Sequence, residues 1–389
     1  MARGSIPVAI LGNGFASRVI LPCLRHVEEI DVVGIASPDD ARRAETAAAF
    51  SIPIDGRDHR EVLERARPRL VFVVTPPSLH RVMAIDALEA GCHVVCEKPT
   101  ALDASESAAM LAASRRHPSQ IALIDHELRF LPARRAARAA APEIGAIRAA
   151  HYMLRSAGMA DAARPWSWWS DRRGGGGALG AIGSHAVDTL RWLAGEIVEV
   201  RGRLETIVRE RPDPGDPRRA REVTSDDLFS AWLRFAGGAT GTIDVSMVER
   251  EREHRVTVAG SAGALRIEEQ AASRLARGDE AWEEIAADDP LPESARLGIP
   301  ETDWARAFLL FAREIARAIE EGRAEVPGAS TFEDGHRNQL VLDAIRRSSE
   351  GGRWEPVGPA GRLDPANGLD PADGPDPADG PDPAGLPRA

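Results

Sequence analysis

The chain has 389 residues, 43% of them hydrophobic, and its formal net charge at pH 7 is -11. This length and composition predict two domains, each able to bury a core of its own. The negative charge argues against nucleic acid and against an anionic membrane surface as partners.

The expected compartment follows from segments that the sequence lacks. No apolar run approaches the roughly 18 residues that a membrane helix needs, and the amino terminus carries no signal-peptide pattern. The three cysteines, Cys23, Cys92 and Cys96, lie in apolar stretches without the spacing of metal ligands. We therefore expect a cytoplasmic protein with reduced, buried cysteines and no metal site.

A glycine-containing turn follows the first predicted strand, at residues 7–11, and leads into a helix that extends to about residue 27. The turn is similar to GxGxxG, with its third glycine replaced by Ser17. The first two glycines of such a turn let the backbone approach a pyrophosphate, which then lies on the helix N-terminus. The residues predicted to bind a dinucleotide here are Gly12, Asn13, Gly14, Phe15 and Ala16.

The second strand, predicted at residues 31–36, ends in Ser37, where NAD enzymes usually carry an acidic residue that binds the ribose. Arg42 and Arg43 follow shortly afterwards. An uncharged residue beside two guanidinium groups suits a 2′-phosphate, which favours NADP over NAD as the cofactor. Two intervening aspartates weaken this preference, and a solvated helix start explains the same residues without a cofactor.

The third strand, predicted at residues 69–75, is nearly all apolar, as a parallel strand covered on both faces should be. It leads into a proline-containing loop with Thr75, Pro76 and His80, and then into a helix that extends to about residue 90. Open α/β sheets bind ligands at the carboxyl ends of their strands, so we expect these three residues to face the cofactor. His80 is also suited to bracing the loop.

The fourth strand, predicted at residues 93–96, delivers Glu97 and Lys98 to the same edge of the sheet. Lys98 is the only lysine in a chain with 49 basic residues. Arginine keeps its charge in proteins, whereas a desolvated lysine can lose its proton, so a site that needs an amine explains this lysine. A solvated lysine at a strand end explains it equally well from position alone. Glu97 is suited to holding Lys98 or a ribose hydroxyl, and otherwise is a surface charge.

A fifth strand, predicted at residues 121–124, leads to Asp125 and Arg129, which are further candidates for the cofactor side. Before it, Asp103 and Glu106 have the spacing of a capping box that opens a helix. Five strands that alternate with helices predict an α/β domain with a parallel, doubly wound sheet.

Strands then follow in closer succession, and glycine pairs at 237–238 and at 260 and 263 predict hairpins between them. We therefore expect a second, α+β domain with a largely antiparallel sheet. Two helices near residues 303–321 and 332–349 should pack back onto the body. The strands predicted for this domain are 146–154, 196–208, 228–235, 240–247, 255–259 and 264–268.

The chain is thus divided into residues 1–127, residues 128–358 and a tail at residues 359–389. From residue 362 the tail repeats Asp-Pro-Ala-(Asp/Asn)-Gly-(Pro/Leu) with a six-residue period and has almost no apolar content. Such a segment cannot bury enough surface to offset its ordering entropy, so we predict a disordered acidic tail.

Together these motifs resemble the Gfo/Idh/MocA oxidoreductases, the family of glucose–fructose oxidoreductase and inositol dehydrogenase. The resemblance covers about residues 6–358. It implies a Rossmann domain followed by an open antiparallel sheet that forms a homodimer or homotetramer. It also implies NAD(P)-dependent oxidation or reduction of a sugar, a cyclitol or a related polyol. The motifs that carry it are Gly12-Asn13-Gly14, Thr75-Pro76-Pro77 with His80, Glu97-Lys98-Pro99, Arg129-Phe130 and Gly183-Ser184-His185-Ala186-Val187-Asp188.

The resemblance also assigns roles in catalysis and substrate binding. Lys98 is expected to give a proton to the substrate oxygen or to take one from it, and His185 to hydrogen-bond the substrate. Asp188 lies three residues after His185, where it can orient the imidazole or bind the substrate. Trp166 and Trp168, with the neighbouring Trp169, are suited to stacking on a sugar, although core packing explains tryptophans there equally well.

One position departs from the family pattern. Many family members carry an aspartate four residues before the histidine, whereas this chain has Ala181 there. The missing carboxylate and the acidic tail leave open a second hypothesis, a non-catalytic nucleotide-binding sensor on the same scaffold. The retained lysine and His185 favour an enzyme.

Overall fold

The computed structural model describes residues 5–358. The strands are β1 (Ile6–Leu11), β2 (Ile30–Ala36), β3 (Ile54–Gly56), β4 (Leu70–Val73), β5 (His93–Cys96), β6 (Ala122–Ile124), β7 (Ile147–Arg155), β8 (Ile197–Glu205), β9 (Glu210–Pro212), β10 (Ala220–Glu222), β11 (Leu228–Phe235), β12 (Thr240–Ser246), β13 (Glu253–Gly260), β14 (Gly263–Glu268), β15 (Arg274–Arg277), β16 (Glu283–Glu284), β17 (Ser330–Thr331) and β18 (Glu355–Pro356). The α-helices are α1 (Leu21–Leu24), α2 (Asp40–Phe50), α3 (His59–Ala66), α4 (His80–Glu89), α5 (Ala104–Arg116), α6 (Pro132–Ala140), α7 (Ser184–Ala194), α8 (Ser294–Leu297), α9 (Asp303–Glu320) and α10 (Phe332–Gly351).

The first sheet has the strand order β3-β2-β1-β4-β5-β6, in which every neighbouring pair is parallel, with β17 added antiparallel at the β6 edge. This confirms the predicted doubly wound sheet. The chain adds β2 and β3 on one side of β1 and then adds β4, β5 and β6 on the other side. This switch in strand order leaves a crevice at the carboxyl ends of β1 and β4, where such sheets bind ligands. The sequence prediction missed β3 and β17, which are three and two residues long.

Alternating residues of β1 supply two different cores. Ile6, Val8 and Ile10 lie in a cluster with residues of α1 and α9, whereas Ala9 and Leu11 face the opposite layer, with α3, α4 and α5. A strand that is buried on both faces in this way is continuously apolar. The long helix α9 therefore covers the first sheet from late in the chain, and its Phe308 packs on Phe72 of β4 with ring centroids 5.6 Å apart.

The second sheet has nine strands in the order β16-β15-β14-β13-β7-β12-β11-β8-β18. Its neighbours are antiparallel except for β7 and β12, so the prediction of a mostly antiparallel sheet is confirmed. The sheet's inner residues share one core with residues of α7 and α10. Its other face is open, and Trp232 of β11 is 64% exposed there. The sequence analysis did not predict the small β9–β10 hairpin, β15, β16 or β18.

Several smaller predictions are settled by the described residues. Asp103 accepts a hydrogen bond of 2.9 Å from the amide of Glu106, whose carboxylate reaches back to the amide of Leu102 rather than to that of Asp103. All three cysteines are buried. No helix within residues 5–358 has the length and apolarity needed to cross a membrane. The predicted disordered tail lies outside the described residues.

Candidate active site

The glycine turn after β1 is shaped by a close approach of two strands. Gly12 has a φ of +111°, and a Cβ added there would lie 2.2 Å from the carbonyl oxygen of Val74, so no other residue fits. Its amide donates a 2.8 Å hydrogen bond to the carbonyl of Ala36, which ties the turn to the end of β2. A Cβ on Gly14 would meet no described atom within 4 Å. The space above Gly14 is therefore open to a ligand, as a pyrophosphate-binding turn requires.

Two polar groups beside this turn are buried without a hydrogen-bond partner among the described residues. They are Nδ2 of Asn13 and Oγ1 of Thr75. The side-chain oxygen of Asn13 is already used, since it accepts from the hydroxyl of Thr46 at 3.0 Å. Buried polar groups normally find partners, so these orphans at a sheet edge fit a bound ligand with donors and acceptors of its own. The residues present therefore fit a dinucleotide.

The predicted 2′-phosphate site is only partly supported. Arg43 is buried, and its guanidinium donates to the carbonyl of Ser37 at 2.7 Å and to the carboxylates of Asp40 and Asp55 at 2.8 Å each. Nε and Nη1 of Arg43 thus hold the end of β2 to β3, and the binding of a 2′-phosphate by Arg43 stays a prediction. Arg42 is exposed on α2 and keeps its predicted role as a proposal.

His80 lies fully buried between two loops of the crevice. Its Nδ1 is 2.9 Å from the carbonyl of Pro99, and its Nε2 is 2.8 Å from the carbonyl of Thr75. With both ring nitrogens occupied, His80 joins the loop after β4 to the residue that follows Lys98. These contacts agree with the bracing role, and the assignment of His80 to the cofactor stays a prediction.

Lys98 extends from the end of β5 across to the second domain. Its Nζ donates a 3.2 Å hydrogen bond to the carbonyl of Ala181, in the π-helical turn Leu179–Gly183 that precedes α7. Its backbone amide donates to Oε2 of Glu97 at 3.2 Å. Burial raises the pKa of Glu97, and the charge of Lys98 opposes that shift. The amine is thus held at the crevice by a backbone oxygen, in the position where the family pattern has a carboxylate.

His185 opens α7 directly beside this contact and is 1% exposed. Its ring meets that of Trp304 with centroids 4.4 Å apart and that of His126 at 5.3 Å, both edge to face. Its Nε2 is buried with no partner among the described residues. Burial, followed by the charge of Lys98, holds the pKa of His185 well below its usual value. The imidazole is therefore neutral at pH 7, with a free position for a hydrogen bond.

Asp188 takes part in a buried ion pair with Arg129. Its two carboxylate oxygens accept from Nε and Nη2 of Arg129 at 2.8 and 2.6 Å, and Ser330 adds a longer contact of 3.4 Å. Burial alone would raise the pKa of Asp188, but the charge of Arg129 outweighs it, and the pKa is lowered. With these contacts Asp188 and Arg129 have a structural role, and their predicted roles towards the substrate, His185 and the cofactor stay predictions. The pair joins the loop after β6 to α7.

The three tryptophans have different surroundings. Trp166 packs against the β9–β10 hairpin, where its Nε1 donates to the carbonyl of Glu222 at 2.9 Å and the guanidinium of Arg221 lies 3.2 Å from the ring centroid. Its donor and one face of its ring are occupied within the protein, and its assignment to the substrate stays a prediction. Trp169 packs against the second core. Trp168 is 43% exposed and remains the candidate for stacking on a sugar.

Two groups near the site were not found from the sequence. Glu127 is 5% exposed and lies next to the predicted Asp125 at the end of β6, so its position at a strand end was an available signal. Trp304 touches His185 from the start of α9, more than a hundred residues later in the chain. No pattern in the sequence links Trp304 to His185.

Comparison with known proteins agrees with this geometry. Residues 6–124 match the oxidoreductase family with an NAD-binding Rossmann fold, and residues 134–266 match the GFO/IDH/MocA C-terminal domain. The chain belongs to the Gfo/Idh/MocA oxidoreductase family. Mouse glucose-fructose oxidoreductase domain-containing protein 2 is 31% identical to this Gfo/Idh/MocA protein over 369 residues, which cover 90% of this chain and 93% of the relative.

Solved structures with the same fold include two related oxidoreductases. An oxidoreductase domain protein from Kribbella flavida has a TM-score of 0.81 and 28% identity, covering 92% of this chain and all of the other. Levoglucosan dehydrogenase in complex with NADH has a TM-score of 0.79 and 25% identity, covering 91% and 99%. The Gfo/Idh/MocA chain described here is thus similar over nearly its whole described length to a sugar dehydrogenase.

Proposed function

We propose that this protein transfers a hydride between a nicotinamide cofactor and a hydroxyl or carbonyl carbon of a sugar, a cyclitol or a related polyol. The observation that carries the proposal is the contact between Lys98 and the turn that immediately precedes the helix of His185. Lys98 arrives from the nucleotide-binding sheet and contacts the turn that leads into His185. The levoglucosan dehydrogenase neighbour supports a sugar-like substrate.

The proposed mechanism divides the work between these two side chains. The bound nicotinamide supplies the hydride acceptor or donor. Lys98 takes the proton of the substrate hydroxyl in oxidation and returns it in reduction. His185 is neutral and therefore orients the substrate by a hydrogen bond from its unpartnered nitrogen, rather than by carrying charge. Trp168 offers an exposed ring on which one face of a sugar can stack.

For the cofactor, Gly12, Gly14, Asn13 and Thr75 are proposed to hold the dinucleotide through the open turn and the two orphaned polar groups. Phe15 and Ala16, at the start of the first helical turn, and the buried Ser37 are proposed to lie along it. We further propose that Arg42 is the main residue that sets a preference for NADP, because Nε and Nη1 of Arg43 already donate to protein groups.

Assembly is a separate proposal. The open face of the second sheet exposes Trp232, a large aromatic residue of the kind that is enriched at protein interfaces. We propose that this face joins copies into a homodimer or homotetramer. Light scattering of the wild-type protein and of Trp232→Arg tests it, since the variant should dissociate if the face is the interface.

The function is tested by mixing the purified protein with oxidised or reduced NAD and NADP against a panel of sugars and cyclitols. The readout is the absorbance of reduced nicotinamide. Turnover with at least one polyol is expected, and Lys98→Met should abolish it. Tight cofactor binding without turnover on any member of the panel would favour the nucleotide-binding sensor instead.

A further inference from the structure

A cavity of about 660 Å³ lies beside the start of α6 and is lined by neither Lys98 nor His185. Its walls are the first turn of α6, the end of β14 with the loop that follows it, and parts of the segment 285–306. Its volume is in the range of small-molecule binding sites. One of the residues that line it is Arg134, which has no role in the mechanism above.

Arg134 carries a buried charge without a charged partner. It is 3% exposed, and in the described part of the chain no carboxylate lies within ion-pair distance of its guanidinium. Nη1 donates to the hydroxyl of Thr189 and Nη2 to Nε2 of His254, each over a long 3.4 Å. Burial lowers the pKa of His254 to about 3, so both acceptors are neutral at pH 7. An unpaired buried charge is strongly unfavourable, and an anion in the cavity would remove this cost.

The N-terminus of α6 adds a second positive feature to the same wall. Pro132 is the first residue of this nine-residue helix, and the N-cap residue Leu131 provides no side-chain cap. The first amides of a helix have no acceptor within the helix, and together with the helix dipole they favour an anion. All four residues from 131 to 134 line the cavity. A negative group placed there would therefore face both the guanidinium and the open end of the helix.

The opposite wall carries five carboxylates, which restricts the kind of anion that fits. Three of them are paired with arginines: Glu268 with Arg274 at 3.9 Å, Glu293 with Arg296 at 3.9 Å and Asp289 with Arg306 at 2.6 Å. The other two, Glu301 and Asp303, form no ion pair within residues 5–358. Oδ2 of Asp303 accepts a 3.0 Å hydrogen bond from the amide of Gln270.

These two unpaired side chains favour a carboxylate ligand with hydroxyl groups. They repel the double charge of a phosphate more strongly than the single charge of a carboxylate. Their oxygens are hydrogen-bond acceptors, and hydroxyl groups are donors that match them. A molecule with one carboxylate and several hydroxyls therefore complements both walls of the cavity.

We propose that this cavity is a binding site for a sugar acid, with the carboxylate on Arg134 and the first turn of α6, and with hydroxyl groups towards Glu301 and Asp303. The planar guanidinium is suited to a carboxylate because it donates in a fork. The site is separate from the proposed hydride transfer, in which neither Arg134 nor Asp303 takes part.

The first test is isothermal titration calorimetry of the full chain without cofactor. Glucuronate is the probe, and glucose and inorganic phosphate are the comparisons. We expect one glucuronate per chain, with glucose and phosphate at least about tenfold weaker, which is the lower end of what a charge-assisted hydrogen bond contributes. Absence of glucuronate binding, or glucose binding equally tightly, would overturn the anion site. Phosphate binding as tightly as glucuronate would overturn its assignment to a sugar acid.

Three variants locate the bound glucuronate. Arg134→Met removes the charge and should weaken glucuronate at least about tenfold. Arg135→Met makes the same change one residue later, where the guanidinium lies 4.3 Å from the ring centroid of Phe130, and should bind like wild type. Ala133→Asp puts a carboxylate into the cavity wall, where the helix N-terminus favours it, and should abolish binding even if Arg134→Met does not fold. Wild-type affinity in Arg134→Met or in Ala133→Asp would overturn the proposal.

Lys98→Met distinguishes this site from the crevice. It should bind glucuronate with the wild-type Kd, because Lys98 does not line the cavity. A loss of binding in Lys98→Met would place the glucuronate in the crevice and overturn the inference. Since these titrations need neither cofactor nor turnover, this inference can fail while the proposed function stands, and the reverse also holds.

Discussion

The side-chain amine of Lys98 donates a 3.2 Å hydrogen bond to the backbone carbonyl of Ala181. This contact joins the carboxyl end of the nucleotide-binding sheet to the turn before α7, so one lysine spans the boundary between the two sheets. The carbonyl fixes the position of the amine but cannot exchange a proton with it. Proton exchange must therefore involve the substrate, solvent or a titrating group elsewhere in the crevice.

The position of Ala181 beside Lys98 can be tested by restoring the family carboxylate. Ala181→Asp should fold with a melting temperature close to that of wild type, because the new charge would lie next to an ammonium. Ala186→Asp is the matched control, since Ala186 is fully buried in the second core. An unpaired charge there should cost several kcal/mol. An equally large loss of melting temperature in both variants would contradict the placement of Ala181 at the crevice wall.

The Arg129–Asp188 pair should be important for stability. Asp188→Asn leaves the buried guanidinium without its charge partner and should lower the free energy of unfolding by about 3–5 kcal/mol. Denaturant titration measures this difference. Glu61→Gln, which breaks the exposed pair with Arg65, should change it by less than about 0.5 kcal/mol. Replacing Arg129 and Asp188 together by leucine should recover much of the loss, and a double variant as unstable as Asp188→Asn would argue against this account.

Replacing Arg42 and replacing Arg43, the two arginines of α2, should change cofactor affinity in different ways. Arg42→Ala should weaken NADP more than NAD, because a lost charge-assisted hydrogen bond to phosphate is worth about 1.5–3 kcal/mol. Arg43→Ala should lower the melting temperature and weaken both cofactors alike, because this residue ties β2 to β3. Fluorescence titration of wild type and of each variant with both cofactors gives four ratios, each of them the Kd of one variant for one cofactor divided by the wild-type Kd. Equal weakening in Arg42→Ala would remove the case for NADP.

The pH dependence of stability should reveal the proton on Glu127. Its pKa is raised from 4.5 in the unfolded chain to about 8 in the folded protein, so the folded state holds a proton that the unfolded chain releases. The stabilisation is therefore complete below about pH 4.5 and is lost as pH rises through about 8, by up to about 1.4 kcal/mol per pH unit.

Glu127→Gln should flatten this decline, and the difference between the two stability curves cancels the contribution of every group whose pKa does not depend on Glu127. Chemical denaturation at several pH values supplies both curves. Glu143 lies in an exposed ion pair with Arg277, and the curve of stability against pH for Glu143→Gln should run parallel to the wild-type curve. A constant difference between wild type and Glu127→Gln across this range would show that Glu127 keeps the same proton in both states.

The architecture was predictable because it depends on short-range patterns. Apolar strands followed by glycine, proline or charged residues revealed the main strands of both sheets, and the helical spacing in α9 and α10 revealed both late helices. The strands that were missed have four residues or fewer, as in β3 and β17, which is too short for a pattern to emerge. The sequence also gave no sign that α9 covers the first sheet, because this packing joins distant parts of the chain.

The sequence indicated where the site residues lie in the fold, but it did not indicate which side chains they pair with. Lys98 and His185 were found because one follows a strand and the other opens a helix within a family motif. Arg43 and Arg129 were assigned to the cofactor because they carry charge near the carboxyl ends of the strands, and Asp188 was assigned to the site because it lies three residues after His185 in the family motif. Each is in contact with another protein group, and the sequence does not show which charges are paired in three dimensions.

The most direct measurement for the central claim is kcat together with the cofactor Kd, for wild type and Lys98→Arg. Arginine keeps the charge and the hydrogen-bond donors but cannot become neutral, since its pKa is above about 12. If Lys98 transfers the proton, kcat should fall by about 10²–10⁴-fold while the cofactor Kd stays unchanged. A Lys98→Arg variant with near-normal kcat would contradict proton transfer by this lysine and leave it only the role of a fixed charge.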